Sequence, residues 1–176
     1  MKFNPHGYQT YCERRIEGDN AVGLFLDMGL GKTVIALTAV KRLKYERFAI
    51  RKTLVIAPKK VAETTWSKEA EKWDHLRCLK IVQVLGSLKK RVQAVNTPGD
   101  VYVINRENVV WLADYFKNNW PFDMVIVDEL SSFKSRQAKR WRALVRMRPH
   151  ISRIVGLTGT PAPVSYTHLT LPTNRE

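Results

Sequence analysis

LFLDMGLGKTVIALTAV, residues Leu24–Val40, sets two glycines, a lysine and a threonine between an apolar run and a helix-like run. Gly29 and Gly31 permit positive φ and let the backbone approach a ligand closely. Ala21–Leu26 reads as a short buried strand, and Val34, Leu37, Thr38 and Lys41 continue as a helix. The glycines therefore occupy a strand-to-helix turn, which aims unpaired N–H groups and the positive end of a helix dipole at one spot. That geometry suits phosphate. Lys32 adds a full charge for the β- and γ-phosphates of ATP, and the Thr33 hydroxyl is placed to ligate Mg²⁺. The usual phosphate loop also has a glycine five positions before Gly31, where this chain has Leu26. On this stretch alone, a glycine-containing turn that merely caps a helix is the plainer alternative.

The chain has 176 residues, 44% hydrophobic and 26% charged, which fits a globular domain with a real core and not a disordered one. No run approaches the 18 apolar residues of a membrane span, and MKFNPHGYQT at the start lacks the apolar core of a signal peptide. Cys12 and Cys78 have no partner spacing for zinc, so two free thiols in a reducing cytosol are expected. Thirty Lys and Arg against sixteen Asp and Glu leave a net charge of +14. The excess is uneven: Leu130–Pro163 holds no acid but Lys134, Arg136, Lys139, Arg140, Arg142, Arg146, Arg148 and Arg153. A polyanion partner is the natural inference, because phosphate neutralisation dominates nucleic-acid affinity. A solvated basic helix face would read the same way. Lys139 and Arg142, one helical turn apart, are the better candidates for phosphate contacts; Arg140 diverges from them and is expected toward solvent.

Short β-branched runs recur at Thr53–Ala57, Lys80–Leu85, Val101–Ile104, Met124–Val127 and Ile151–Leu157. Helical stretches lie between them at Val61–Trp73, Leu88–Val95, Glu107–Asn118 and Gln137–Met147. This alternation predicts an α/β fold: a mostly parallel sheet flanked by helices in three layers. Ligands of such sheets bind beyond the carboxyl ends of the strands, where Gly29–Thr33 would sit. Trp66 and Trp73, at helical positions beside apolar neighbours, are expected in the core; stacking on bases is the alternative.

An ATPase also needs an acid for Mg²⁺ and a group that orients or deprotonates water. WPFDMVIVDEL, residues Trp120–Leu130, ends a buried strand on Asp128 and Glu129. Asp128 would bind the metal and Glu129 would polarise the nucleophile. Two acids after a strand also commonly cap a helix, so their weight comes from the phosphate loop about a hundred residues earlier.

LDMGLGKT, LVIAPKKVAETTW, WPFDMVIVDEL and LTGTP, in this order and spacing, resemble the first RecA-like lobe of superfamily 2 helicases, with the Snf2-like branch and its phage-encoded DNA helicases most similar. In that branch an acid at the position of Asp27 replaces the distant glycine. The resemblance covers residues 3 to about 163 and implies an ATP-binding lobe that couples Mg·ATP hydrolysis to movement on double-stranded DNA, in a bacterial or phage-infected cell. By position, it implies that Asp27, Met28, Gly29, Leu30, Gly31, Lys32 and Thr33 cradle nucleotide. Asp128 and Glu129 match motif II. Ala57, Pro58 and Lys59, with Lys60 beside them, fall where the family touches the nucleic-acid backbone. Thr158, Gly159 and Thr160 match the motif that couples nucleotide state to the nucleic-acid track, and Tyr8 and Gln9 resemble the adenine-reading Q motif. The departure is in motif II, where Leu130 and Ser131 replace a small residue and a histidine, which puts the relay of hydrolysis in question.

After Pro163 the pattern stops. VSYTHLTLPT, residues 164–173, matches one reading frame of a transposon-based sequencing adapter, so 164–176 is expected to be a non-native tail; a genuine terminal tail is the alternative. The family places ATP between two RecA-like lobes, so a lone first lobe is expected to bind nucleotide weakly and turn it over hardly at all. An RNA helicase lobe and a noncatalytic nucleic-acid-binding module are the competing functions. TGTP weighs against the first, since many RNA helicases carry Ser-Ala-Thr there. Retention of Lys32, Thr33, Asp128 and Glu129 together weighs against the second.

Overall fold

Side-chain alternation along the strands sorts the apolar residues into two layers of core, and the helices follow. The computed structural model describes residues 1–133 and 138–159, the side chain of Ser132 excepted. In chain order the main elements are α1 (Gly7–Gly18), β1 (Ala21–Phe25), α2 (Lys32–Lys41), β2 (Thr53–Ala57), α3 (Lys59–Lys72) and β3 (Ile81–Val84). They continue with α4 (Leu88–Val95), β4 (Val101–Asn105), α5 (Val109–Phe116), β5 (Met124–Asp128), α6 (Lys139–Met147) and β6 (Arg153–Thr158). Six strands form one sheet in the order β1-β6-β5-β2-β4-β3, and every pairing is parallel.

Leu24, Val55, Ala57, Val103, Ile126 and Leu157 face one layer with α1, α2 and α3. Leu54, Ile56, Tyr102, Ile104, Val125 and Val127 face the other, with α4, α5 and α6. This is the expected three-layer α/β architecture. α2 is buried at every position from Val34 to Val40, as a helix apolar all round must be. It lies between α1 and α3. Beyond α2 the chain continues through a π-helical turn, Arg42–Glu46, that the sequence does not announce.

The central strands β2 and β4 are buried throughout. β1 corrects the expectation of a buried strand. It is an edge strand paired only with β6, so Leu24 alone is buried and Phe25 is 48% exposed. α1 is a helix that the strand-and-helix alternation does not announce, and it is held by charge. Arg42 reaches the buried carboxylates of Glu13 at 2.9 Å and Glu17 at 3.0 Å, and Arg47 reaches Glu17 at 2.8 Å. Burial pushes the Glu13 carboxyl up despite Arg42. Trp66 is fully buried as expected, whereas Trp73 is only half-buried, edge-on to Phe3 at 5.2 Å. The expected non-native tail and Thr160 lie outside the described residues, as do Lys134 and Arg136.

Leu130 is buried where the family pattern has a small residue, and the sheet makes room for it. A Cβ added at Gly156 would meet Leu130 Cδ2 at 2.5 Å. Gly156→Ala is therefore expected to destabilise the chain by about 1–3 kcal/mol. In a Leu130→Ala background the same change should cost close to nothing, a coupling measured by urea unfolding of the double-mutant cycle.

Candidate nucleotide site

Three adjacent strands end at the same edge of the sheet. β1 leads into residues 26–31, β6 ends on Thr158 and β5 ends on Asp128. Phe25 lies beside Thr158 and Asp128 beside Leu157, so the three loops emerge at one height. The Leu26 N–H donates to the Thr158 carbonyl at 3.1 Å, carrying the ladder one residue into the loop.

In that loop Gly29 has φ 84° and Gly31 φ 81°, the left-handed region that favours glycine. Gly31 caps α2, which points its first N–H groups at the loop. The Lys32 ammonium folds back over the turn and donates to the carbonyls of Leu26 at 2.7 Å and Asp27 at 3.3 Å. Thr33 is half-buried in the first turn of α2. Met28 is 91% exposed, so its side chain packs on almost nothing in the loop. Gly159 lies against the loop: a Cβ there would stand 3.6 Å from Lys32 Nζ and 3.5 Å from the Leu26 carbonyl oxygen.

Tyr8 and Gln9 belong to the same site. The Tyr8 hydroxyl donates to the Leu30 carbonyl at 3.0 Å and Gln9 Nε2 donates to it at 3.3 Å, while Gln9 Oε1 accepts from the His6 N–H at 2.9 Å. A Cβ at Gly31 would come within 2.7 Å of Gln9 Nε2, so a side chain there would displace the Gln9 amide as well as strain the backbone at φ 81°. His6 stacks on Tyr8 with ring centroids 5.8 Å apart.

Alternation along β5 turns Asp128 toward the layer of Met124 and Ile126, which is the side of α2 and α3. There the Trp66 indole N–H donates to Asp128 Oδ2 at 3.1 Å. Burial raises the Asp128 pKa; the Trp66 and Glu129 N–H groups and the Lys32 charge pull it back in part. Glu129 has φ 58°, an uncommon conformation for a residue with a side chain, and its Oε1 accepts from the Ser131 hydroxyl and from Thr158 Oγ1 at 3.4 Å. Ser131, which stands where the family pattern has histidine, thus reaches Glu129 by a hydroxyl, and Thr158 reaches the same oxygen from β6.

These groups can hold a magnesium nucleotide. The Thr33 hydroxyl and Asp128 carboxylate are hard oxygens, and the half-buried, partly desolvated Asp128 charge is the kind a cation relieves. Among the described residues no group of three or more His, Cys, Asp or Glu is placed to hold a metal ion.

The basic candidates divide between the two layers. Pro58 caps α3, and Lys59 and Lys60 are exposed in its first turn, at the carboxyl edge of β2. Lys139 and Arg142 are exposed on α6, on the opposite face, where they line one depression with Arg146, Val110 and Asp114. Arg146 pairs with Asp114 at 2.7 Å. Arg140 is not simply in solvent: its guanidinium sits over the Phe133 ring, 5.8 Å from the centroid. The reading of residue types alone missed the Trp66 donor. The signal available was the alternation that sends Asp128 toward α3, and it does not name the partner.

A model of the SNF2-related domain family matches residues 11–171. The chain is 39% identical over 167 residues to protein p41 of Acyrthosiphon pisum secondary endosymbiont phage 1, covering 92% of this chain and 36% of that protein. It is 30% identical over 146 residues to the chromatin-remodeling ATPase INO80 of Schizosaccharomyces pombe, covering 77% of this chain and 9% of the relative. The Sulfolobus solfataricus SWI2/SNF2 ATPase core in complex with dsDNA superposes with a TM-score of 0.74 at 22% identity, covering 92% of this chain and 33% of that one. The chain thus spans about a third of the phage relative and about a tenth of the remodelling ATPase.

Because burial raises the Asp128 pKa, the folded chain favours the protonated acid. That stabilisation is complete below the ordinary carboxylate range and is lost as pH rises through the raised value, so ionised Asp128 costs stability at neutral pH. Asp128→Asn, which keeps an acceptor for Trp66, is expected to raise the melting temperature of the metal-free chain at pH 7. Each kcal/mol gained appears as about 2–4 °C. At pH 4 and below the difference between variant and wild type should shrink.

Proposed function

The chain belongs to the SNF2-related domain family, and from that premise we propose that it is the ATP-binding lobe of a DNA-dependent ATPase, coupling Mg·ATP hydrolysis to movement along double-stranded DNA. The observation that carries the reading is the convergence of Lys32, Asp128, Glu129 and Thr158 at the ends of three neighbouring parallel strands. The N–H groups of 29–33 and the Lys32 ammonium bind the phosphates. This requires Lys32 to leave the carbonyls of Leu26 and Asp27, which lie within its reach. Tyr8 and Gln9 brace the loop through Leu30 and meet the base from α1. Thr33 and Asp128 hold Mg²⁺, which when bound neutralises charge on the terminal phosphates.

Glu129 orients the attacking water and accepts its proton. Its position is set by the Ser131 and Thr158 hydroxyls on one oxygen. A change at β6 would therefore reach the catalytic carboxylate directly, which supports Thr158 and Gly159 as the coupling segment, with Thr160 next in sequence. Pro58, Lys59 and Lys60 at the start of α3 and Lys139 and Arg142 on α6 meet the DNA backbone. A second RecA-like lobe completes the site, and helicase action, as distinct from translocation, belongs to that larger assembly.

Lys32→Ala removes charge-assisted bonds to phosphate and is expected to weaken Mg·ATP binding at least about tenfold. Unchanged affinity by calorimetry would overturn the phosphate-loop assignment. Glu129→Gln should bind Mg·ATP normally and abolish turnover in the two-lobed protein; normal hydrolysis would make Glu129 a structural residue. For DNA, Lys139→Ala and Arg142→Ala should each flatten the slope of log K against log salt by about 0.9 for every phosphate the missing side chain had neutralised. Slopes unchanged for both would move the DNA track to Lys59 and Lys60.

A further inference from the structure

Trp66 is 0% exposed, in the middle of α3, with its ring inside the layer formed by α2, α3 and the sheet. A buried indole N–H must find an acceptor. Here the acceptor is a carboxylate at the carboxyl end of β5, 62 residues away in sequence and 3.1 Å away in space. The ring is fully buried on a helix that packs on β3 and β4 as well as on α2. What the observed orientation adds is a fixed neutral donor on one oxygen of Asp128.

We propose that Trp66 is a positioning residue for the metal-binding carboxylate. Its N–H fixes Oδ2 of Asp128, so that the carboxylate would be pre-oriented when it and Thr33 hold Mg²⁺, without adding a competing positive charge. The inference rests on the reading of Asp128 as the magnesium ligand. Partners of metal ligands of this kind act by orienting the ligand, and their loss weakens metal affinity by about 10–100-fold. The loss should therefore appear in the magnesium requirement and not in the affinity of the loop for nucleotide without metal.

The experiment titrates Mg²⁺ into the 176-residue chain at a fixed concentration of a fluorescent ATP analogue, for wild type, Trp66→Phe and Asp128→Asn. A fourth variant carries benzothienylalanine at position 66, which keeps the shape of the ring and replaces the N–H by sulfur; it serves if Trp66→Phe does not fold. Urea unfolding establishes that each variant is folded. Expected is a rise of about tenfold in the magnesium midpoint for the variants lacking the N–H, with nucleotide binding in excess EDTA unchanged. A folded variant lacking the N–H with a wild-type midpoint overturns the role of Trp66. If Asp128→Asn loses the magnesium dependence while the Trp66 variants keep it, only this inference fails. If Asp128→Asn keeps the wild-type midpoint, or wild type shows no magnesium-dependent binding, the reading of the site fails and this inference falls with it.

Discussion

Two parallel ladders meet on β6, one running from Ala21↔Ile154 to Phe25↔Thr158 and the other from Met124↔Arg153 to Asp128↔Leu157. Through them the glycine-containing loop 26–31, the acidic pair and the Thr158–Gly159 segment are held at one height on one edge. Register decides this arrangement and decides the chemistry too. A slip of one residue along β5 would turn Asp128 away from α2 and α3 and into the opposite core layer. The Leu26 N–H on the Thr158 carbonyl extends the constraint into the loop itself. β6 comes last of the six strands in the chain and lies between β1 and β5, so residues at the two ends of the described chain meet at this edge.

Charge in the site is managed in two opposite ways. Lys32 is satisfied locally by the carbonyls of Leu26 and Asp27, so its ammonium is stable beside the loop and still close to where phosphate would lie. Asp128 is instead half-buried, and desolvation raises its carboxyl pKa, an effect that the neutral indole N–H of Trp66 offsets only in part. An ionised acid in that state costs stability, a compromise common at functional sites and in keeping with the metal-binding role proposed for Asp128. Glu129 makes a comparable concession in the backbone, with φ 58° placing its carboxylate within reach of the Ser131 and Thr158 hydroxyls.

The first helix belongs to the site although its residues come before the phosphate loop. Glu13 and Glu17 fasten α1 to Arg42, just beyond α2, and α1 in turn delivers Tyr8 and Gln9 to the Leu30 carbonyl. Arg42 is half-buried while both acids are buried, so its removal would leave the Glu13 carboxylate without its ion-pair partner. The interlock is close enough that Gln9 occupies the space a side chain at Gly31 would need. Loop conformation and helix docking therefore depend on one another.

Residue types and spacing were enough to determine the α/β class, the strand-to-helix turn at Gly29–Thr33 and the candidate acids Asp128 and Glu129. Each of these is a local property: β-branched runs, a glycine-rich turn before an apolar helix, a carboxylate pair after a strand. Tertiary structure alone decided that β1 is an edge strand, since exposure there depends on which neighbours it lacks and not on its own composition. It decided likewise that Leu130 is accommodated by the missing Cβ of Gly156 and that Ser131 and Thr158 share one oxygen of Glu129. The Trp66–Asp128 hydrogen bond is the clearest case. Its two ends lie on α3 and β5, and no pattern within either segment contains the other; the bond exists because sheet register and helix packing together set a donor 3.1 Å from an acceptor.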